Sequence, residues 1–409
     1  MDYYDELETR SPEAREAALM TALPGQVAHA KAAAPAYAKI LAEVDPAAVT
    51  DRKALAALPV TRKTDLMALQ AASPPFGGLA VPSSGAARLF ASPGPIYEFE
   101  TARSGFWRLE RALFAAGFRA GDIVHNCFAY HLTPGGWMMD GAARALGCAV
   151  VAGGVGNSEQ QVQAIAHFRP SGYTGTPDFL KVLLDKGEEL GLDCSSITRA
   201  LVSGGALFPA LRQAYAERGV AVLQCYATAD LGLIAYESEA REGMILDEEI
   251  IVEILRPGTG DPLLEGEVGE VVVTTLNPDY PLIRFATGDL SALLPGPSPC
   301  GRRAPRIKGW MGRADQATKV KGMFVQPAQV AAVLKRHGEI ARARLVVSRA
   351  GDSDTMTLKC EVKNDAEGLA NAIAASLQEA CKLKGAVELV EAGSLPNDGK
   401  VIDDQRSYD

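Results

Sequence analysis

Between about residues 105 and 225, short apolar runs alternate with amphipathic stretches of helical period. The runs are Asp122-Ile123-Val124-His125-Asn126, Ala149-Val150-Val151-Ala152, Gly172-Tyr173-Thr174-Gly175, Ala200-Leu201-Val202-Ser203-Gly204-Gly205 and residues 220–225. Residues 103–119, 135–147, 157–168, 177–190 and 208–218 carry the helical pattern. Short buried strands separated by crossover helices predict a mainly parallel sheet with helices on both faces. Upstream, residues 11–22 and 25–43 predict helices, and Ser11-Pro12-Glu13 supplies a cap and a first-turn proline. Residues 44–85 are loop-rich, with Leu58-Pro59-Val60-Thr61 ahead of a short helix.

Past residue 250 the pattern changes. Ile250-Ile251-Val252-Glu253-Ile254-Leu255 and Gly269-Glu270-Val271-Val272-Val273-Thr274-Thr275 are strands separated by turns such as Pro257-Gly258-Thr259-Gly260. They predict an antiparallel, β-rich subdomain over about 248–312. A boundary falls at Gly312-Arg313-Ala314-Asp315. Beyond it, helices at 327–337 and 365–383 and strands at 342–349, 354–363 and 385–391 predict a compact α+β domain over 313–409. The last motif, Leu395-Pro396-Asn397-Asp398-Gly399-Lys400, is a glycine-turned loop. The expected fold is therefore α/β. A large N-terminal domain (1–312) carries mainly parallel sheets flanked by helices plus the β-rich subdomain, and a small mobile α+β domain follows.

Composition narrows the function classes. A chain of 409 residues predicts two or three domains, and 47% hydrophobic with 22% charged residues is ordinary globular composition. With 41 basic and 50 acidic residues the net charge is −9, and no basic block is present, which argues against nucleic-acid binding. The acidic start, Met1-Asp2-Tyr3-Tyr4-Asp5-Glu6, does not read as a signal peptide, and no run of about 18 apolar residues predicts a membrane span. Seven scattered cysteines without a C-x-x-C pair fit reduced thiols in the cytoplasm.

Four segments carry candidate chemistry. They are Gln224-Cys225-Tyr226-Ala227-Thr228-Ala229-Asp230, Pro281-Leu282-Ile283-Arg284-Phe285-Ala286-Thr287-Gly288-Asp289, Gly312-Arg313-Ala314-Asp315 with Lys321-Gly322 downstream, and Leu395 to Lys400 with Arg406 nearby. In this order the set resembles the adenylate-forming ligases, specifically the phenylacetate–coenzyme A ligase family. Arg306-Ile307, Gly175-Thr176-Pro177 and the N-terminal helices fit the same family, so the resemblance covers nearly the whole chain.

The resemblance implies a ligase that activates an aromatic or small carboxylic acid as an acyl-adenylate with ATP and Mg²⁺, then transfers it to coenzyme A. A carboxylate is a poor electrophile, and adenylation turns AMP into its leaving group. In that frame Asp289 would accept hydrogen bonds from ribose hydroxyls and Arg313 would touch ribose or phosphate. Asp315 would be the hinge. Lys400 would be the mobile charge bridging carboxylate and α-phosphate. Thr176, Gly204, Gly205 and Tyr226 would lie near the nucleotide, and Tyr130, His131, Gly135 and Gly136 near the acyl group, the glycines leaving room for a flat ring. The resemblance also implies a homodimer.

Three departures qualify the expectation. The family's Ser/Thr/Gly-rich phosphate loop ends in lysine and cradles outer phosphates with backbone N–H groups. The matching stretch here is Leu89-Phe90-Ala91-Ser92-Pro93-Gly94-Pro95-Ile96-Tyr97-Glu98, with two prolines, no lysine and an added carboxylate. Only Ser92 and Gly94 remain of a loop type. Asp230 replaces a longer glutamate and would reach Mg²⁺ from about one methylene further back. Positions that form a zinc cluster in some members are Tyr236, Ser238, Ile245 and Ser298 here, with Cys300 the sole thiol, so no zinc site is expected. The truncated loop keeps two further readings open. One is an acyltransferase or hydrolase acting on preformed acyl-adenylate or acyl-CoA. The other is a non-catalytic protein binding AMP or acyl-CoA.

Overall fold

The computed structural model describes residues 2–406 apart from 83–84, 93–94, 206, 315, 317, 321–322, 351–352, 363–367, 397 and 399. The chain forms two compact units. One comprises Met1–Val252, Val273–Phe285 and Leu294–Gly309; the other comprises Glu253–Val272, Ala286–Leu293 and Trp310–Asp409.

In the first unit, strands Ile123–Asn126, Ala149–Ala152, Gly172–Gly175, Arg199–Val202 and Ala221–Thr228 are parallel neighbours within a nine-stranded sheet. Gly232–Tyr236 and Met244–Leu246 extend it antiparallel. These extensions are buried along their whole length and so show no apolar–polar alternation in sequence. Helix Pro177–Leu190 ends at Gly191, whose φ of 64° is the left-handed cap that glycine favours. Its apolar face, Leu180, Leu183 and Leu184, packs with Tyr173, Ile197, Ala200 and Val222 into one core.

The N-terminal helices differ from the sequence expectation. Pro12–Ala33 is one helix, capped by Ser11 Oγ accepting from Ala14 N at 3.1 Å, and Pro24 lies inside it. The hydrogen bond that proline cannot donate is outweighed by burial of Leu19, Leu23, Val27 and Ala30. The helix expected over 103–119 is confined to Glu110–Ala115. Left-handed backbone at Gly105 and Arg108 stops it, and Arg108 instead sends its guanidinium to Asp247 Oδ1 at 2.8 Å and the Leu231 carbonyl at 2.7 Å. Ala86–Ser92 pairs antiparallel with Ile96–Thr101 in the region of the expected phosphate loop.

The second unit holds a four-stranded sheet in the order Ala386–Glu391, Ser353–Val362, Ile340–Ala350, Ile402–Asp404. Helices Pro327–Arg336 and Leu369–Cys381 contribute to its core of Val330, Val333, Leu345, Val347, Leu358, Ile373, Leu377 and Ile402. The short strand Ile402–Asp404 runs parallel to Leu345–Val347 and was not evident in the sequence. Strands Ile250–Leu255, Gly269–Thr275 and Phe285–Ser291 of the expected β-rich region are neighbours in a separate sheet.

Candidate active site

Brought to one edge of the parallel sheet are the residues that follow its strands, the usual place for ligands in such folds. A Cβ on Gly204, whose φ is +72°, would lie 3.8 Å from the Phe128 ring and 3.9 Å from the Thr176 methyl. A Cβ on Gly205 would lie 3.2 Å from Pro177 Cδ. Thr176, its carbonyl held by Tyr173 Oη at 3.0 Å, thus shares this edge with Gly204 and Gly205. Tyr226 is buried in Ala221–Thr228, paired with Ala235 just before a register shift.

Asn126, which carried no expected role, organises the proposed acyl side. Its Nδ2 donates to Tyr130 Oη at 2.7 Å and to the Gly136 carbonyl at 2.8 Å, and Oδ1 accepts from Thr174 Oγ1 at 3.0 Å. Tyr130 Oη donates to Asp140 at 3.1 Å. Burial, then the Asp140 charge, pushes the Tyr130 hydroxyl well above its ordinary value. A Cβ on Gly136 would sit 2.9 Å from the Tyr130 ring, and one on Gly135 would sit 3.5 Å from Phe128. The room expected over these glycines for a flat substrate ring is therefore filled by the chain's own aromatics. His131 is exposed, its carbonyl accepting from Thr133 N at 2.7 Å.

The rebuilt phosphate loop adjoins Asp230 electrostatically. Asp230 follows Thr228, whose Oγ1 accepts from Leu231 N at 3.1 Å. Its Oδ2 takes a 2.7 Å hydrogen bond from Lys63 Nζ, while Oδ1 is buried without a hydrogen-bond partner. On that strand pair, Ser92 Oγ donates to Glu98 Oε2 at 2.9 Å, and Glu98 Oε1 is likewise buried and unpartnered. Gln70 pins the preceding residue, donating to the Tyr97 carbonyl at 2.7 Å and accepting from Tyr97 N at 2.9 Å. Burial, then the Asp230 charge, raises the Glu98 carboxyl to about 7, against the Ser92 hydrogen bond and the Lys63 charge. Gly94 lies outside the described residues.

In the second unit, Asp289 and Arg313 form an isolated β-bridge, and Ala314 N donates to the Gly288 carbonyl at 2.7 Å. Arg313 Nη1 and Trp310 Nε1 both reach Asp289 Oδ1 at 3.1 Å. Trp310 is 54% exposed although it hydrogen-bonds this carboxylate. Arg313 and Lys400 line one cleft of about 340 Å³ with Met311, Gln316, Thr318 and Asp403. The Lys400 backbone is anchored: Asp398 Oδ1 accepts from Lys400 N at 3.1 Å, and Gln316 Oε1 accepts from Val401 N and Ile402 N at 2.6 and 2.9 Å. Its side chain stays exposed, with Nζ 3.2 Å from Asp403 Oδ1. Asp315 lies outside the described residues.

The structure thus gathers Asp289, Arg313 and Lys400 in one unit, and Thr176, Gly204 and Gly205 in the other. Sequence reasoning missed Lys63, Asn126 and Trp310. Trp310 had a signal, an aromatic two residues ahead of the Gly312-Arg313 motif. Lys63 had none, because its partner lies 167 positions away.

At the positions considered for zinc, Tyr236 Oη donates to Glu8 Oε1 at 3.1 Å and Glu8 Oε2 pairs with Arg302 at 2.9 Å. Burial raises the Cys300 thiol, but hydrogen bonds from Ser238, Ser298 and Arg302 outweigh it and leave the thiol below its ordinary value. Among the described residues, no group of three or more His, Cys, Asp or Glu side chains is placed to hold a metal ion. Among those residues, too, no helix is long and apolar enough to cross a membrane.

A parallel α/β sheet flanked by helices, with a second α+β unit, is the architecture of the adenylate-forming ligases. The AMP-binding enzyme C-terminal domain matches residues 322–406. Phenylacetate–coenzyme A ligases of Thermus thermophilus and Aromatoleum evansii are 34% and 31% identical to the chain, each match covering 88% of it and 84% of the relative. A solved 2-hydroxyisobutyryl-CoA ligase, in its postadenylation state with R3-HIB-AMP, superposes with a TM-score of 0.72 at 25% identity, over 98% of this chain and 91% of that one. The same enzyme in its thioesterification state, with 2-HIB-AMP and CoA, gives 0.71 at 25% identity, over 98% and 92%. The chain belongs to the phenylacetate–coenzyme A ligase family and is an acid–thiol ligase.

Proposed function

We propose that this protein joins a carboxylic acid to coenzyme A in two steps. The carboxylate oxygen attacks the α-phosphorus of ATP, forming the acyl-adenylate and releasing pyrophosphate. The coenzyme A thiol, losing its proton, then attacks the acyl carbon and expels AMP. The observation that carries this reading is the shared cleft of Arg313 and Lys400, with Arg313 bonded to Asp289. Lys400 supplies a flexible, compact charge for oxygens whose negative charge shifts in the first step. Asp289 exchanges its Trp310 and Arg313 hydrogen bonds for ribose hydroxyls. Tyr226, Thr176, Gly204 and Gly205 border the base, Tyr130 and its Asn126 hydrogen bond border the acyl group, and Asp315 absorbs the rotation between two orientations.

Mg²⁺ at Asp230 does not fit the residues present. Magnesium keeps a near-octahedral oxygen shell with several waters. Asp230 offers one oxygen already bonded to an ammonium and a second sealed from solvent. Magnesium carried on the phosphates of ATP enters with the substrate, and no step passes through a metal on Asp230.

Ser92–Glu98 in the phosphate-loop region favours a second reading, in which the protein accepts a preformed acyl-adenylate. Incubation with ATP, coenzyme A and a panel of aryl and short-chain acids separates the two. Acid-dependent AMP in step with acyl-CoA is expected. Acyl-CoA from synthetic acyl-adenylate, with no AMP from ATP and any acid, would establish the second reading instead.

A further inference from the structure

We propose that Lys63 is the resident cation of the Asp230 site, a tethered ammonium held where a divalent ion would otherwise bind that carboxylate. Three observations carry this. First, Lys63 Nζ lies 2.7 Å from Asp230 Oδ2, and the aspartate side chain is fully buried while the lysine side chain is 24% exposed. Second, the other Asp230 oxygen is sealed and unpartnered, so it has no access for the waters that magnesium retains. Third, the lysine is fixed at its root. Thr61 N donates to the Arg284 carbonyl at 3.0 Å, and Lys63 opens the helical turn Lys63–Asp65.

Charge bookkeeping agrees with the geometry. Glu98, 1% exposed, is the second carboxyl that feels Asp230, and its affinity for a proton is raised by burial. With Glu98 protonated, Asp230 and Lys63 cancel, which leaves no net charge among these three groups to attract a dication. A dication on Asp230 would also stand within a few ångströms of the ammonium, which repels it. An ammonium has three N–H donors and no acceptor, so Lys63 keeps donors beyond the one given to Asp230. Its exposed side can present them to an anionic oxygen. Asp230 is then a positioning residue that holds Lys63 in place.

The consequence for the reaction rests on the ligase reading, but the test does not, because it contains no nucleotide, acid or coenzyme A. Mn²⁺ is titrated into the full chain and followed by water-proton relaxation, for the wild type, Asp230→Asn, Lys63→Met, Lys63→Arg and the double variant Lys63→Met/Asp230→Asn. The wild type, Asp230→Asn and Lys63→Arg are expected to give the same weak relaxation enhancement. Lys63→Met is expected to gain one Mn²⁺ site at least tenfold tighter, lost again in the double variant. A stoichiometric wild-type Mn²⁺ site that Asp230→Asn removes would overturn the proposal, and so would a folded Lys63→Met that gains none. Where Lys63→Met does not fold, the wild type and Asp230→Asn decide: identical titrations support the proposal and an Asp230-dependent site sinks it.

Discussion

Asp230 and Asp289 are both largely buried aspartates, one just after a strand and one within a strand, and each meets a cationic side chain, yet those partners differ in exposure. Asp289 shares its Oδ1 between an arginine that is 46% exposed and an indole that is more than half exposed. Asp230 is sealed, with one oxygen on Lys63 and the other bonded to nothing. Breaking a pair whose cation is half solvated costs less, because water replaces part of what is lost, than removing one member of a buried pair, which strands a charge. The difference assigns different work to the two aspartates. Asp289 can exchange its partners for a ligand's hydroxyls at small cost. Asp230 cannot, and its structural contribution is to fix a charge.

Stability measurements on the buried pair provide the largest test of that contrast. Lys63→Met is expected to lower unfolding free energy by about 3 kcal/mol at pH 7, reduced from a fully buried pair because the lysine is partly solvated. Lys63→Met/Asp230→Asn should recover most of that loss in chemical denaturation. A single variant as stable as the wild type would mean that water reaches Asp230 after all.

Glu98 gives the next effect, with a sign fixed by its raised value. Its folded carboxyl holds a proton up to about 7, whereas the unfolded group releases it near its ordinary value of 4.5. Folded stability is therefore fully present below about pH 4.5 and is lost as pH rises through about 7. Glu98→Gln keeps an acceptor for Ser92 and cannot ionise. Its unfolding free energy should exceed that of the wild type by roughly 1–3 kcal/mol at pH 8 and by nearly nothing at pH 4.5. A pH-independent difference would show that Glu98 is not the titrating group.

Arg313→Ala is expected to have the smallest effect on stability, below about 0.5 kcal/mol by thermal unfolding. It should nonetheless weaken AMP binding roughly tenfold in a calorimetric titration, the worth of one charge-assisted hydrogen bond. Loss of stability without loss of AMP affinity would reverse the roles assigned to the two aspartates.

Much of the architecture was legible in the sequence because each parallel strand is followed by its own helix, a local pattern. Pro177–Leu190 follows directly from Pro177 at its start and Gly191 after its end. The overlong expectation at 103–119 failed for a non-local reason, since Arg108 leaves helical geometry to reach Asp247 and Leu231. The residues proposed for the nucleotide side, Asp289, Arg313 and Lys400, each sit in a short motif and so stand out in the sequence. Lys63 does not, since nothing near Thr61-Arg62-Lys63 announces a bond to a residue on a distant turn. The glycines at 135 and 136 misled in a different way. Their missing side chains do leave room, but Phe128 and Tyr130 take it.

The proposed work of Lys400 is formation of the acyl-adenylate. It is tested most directly by measuring two rates in the wild type and in Lys400→Ala: acid-dependent AMP formation from ATP, and acyl-CoA formation from a synthetic acyl-adenylate. The account predicts that the variant loses the first by about 10²–10³-fold, as when a preorganised charge is removed from a transition state, while the second stays within tenfold. Equal losses in both rates, or none in either, would contradict it.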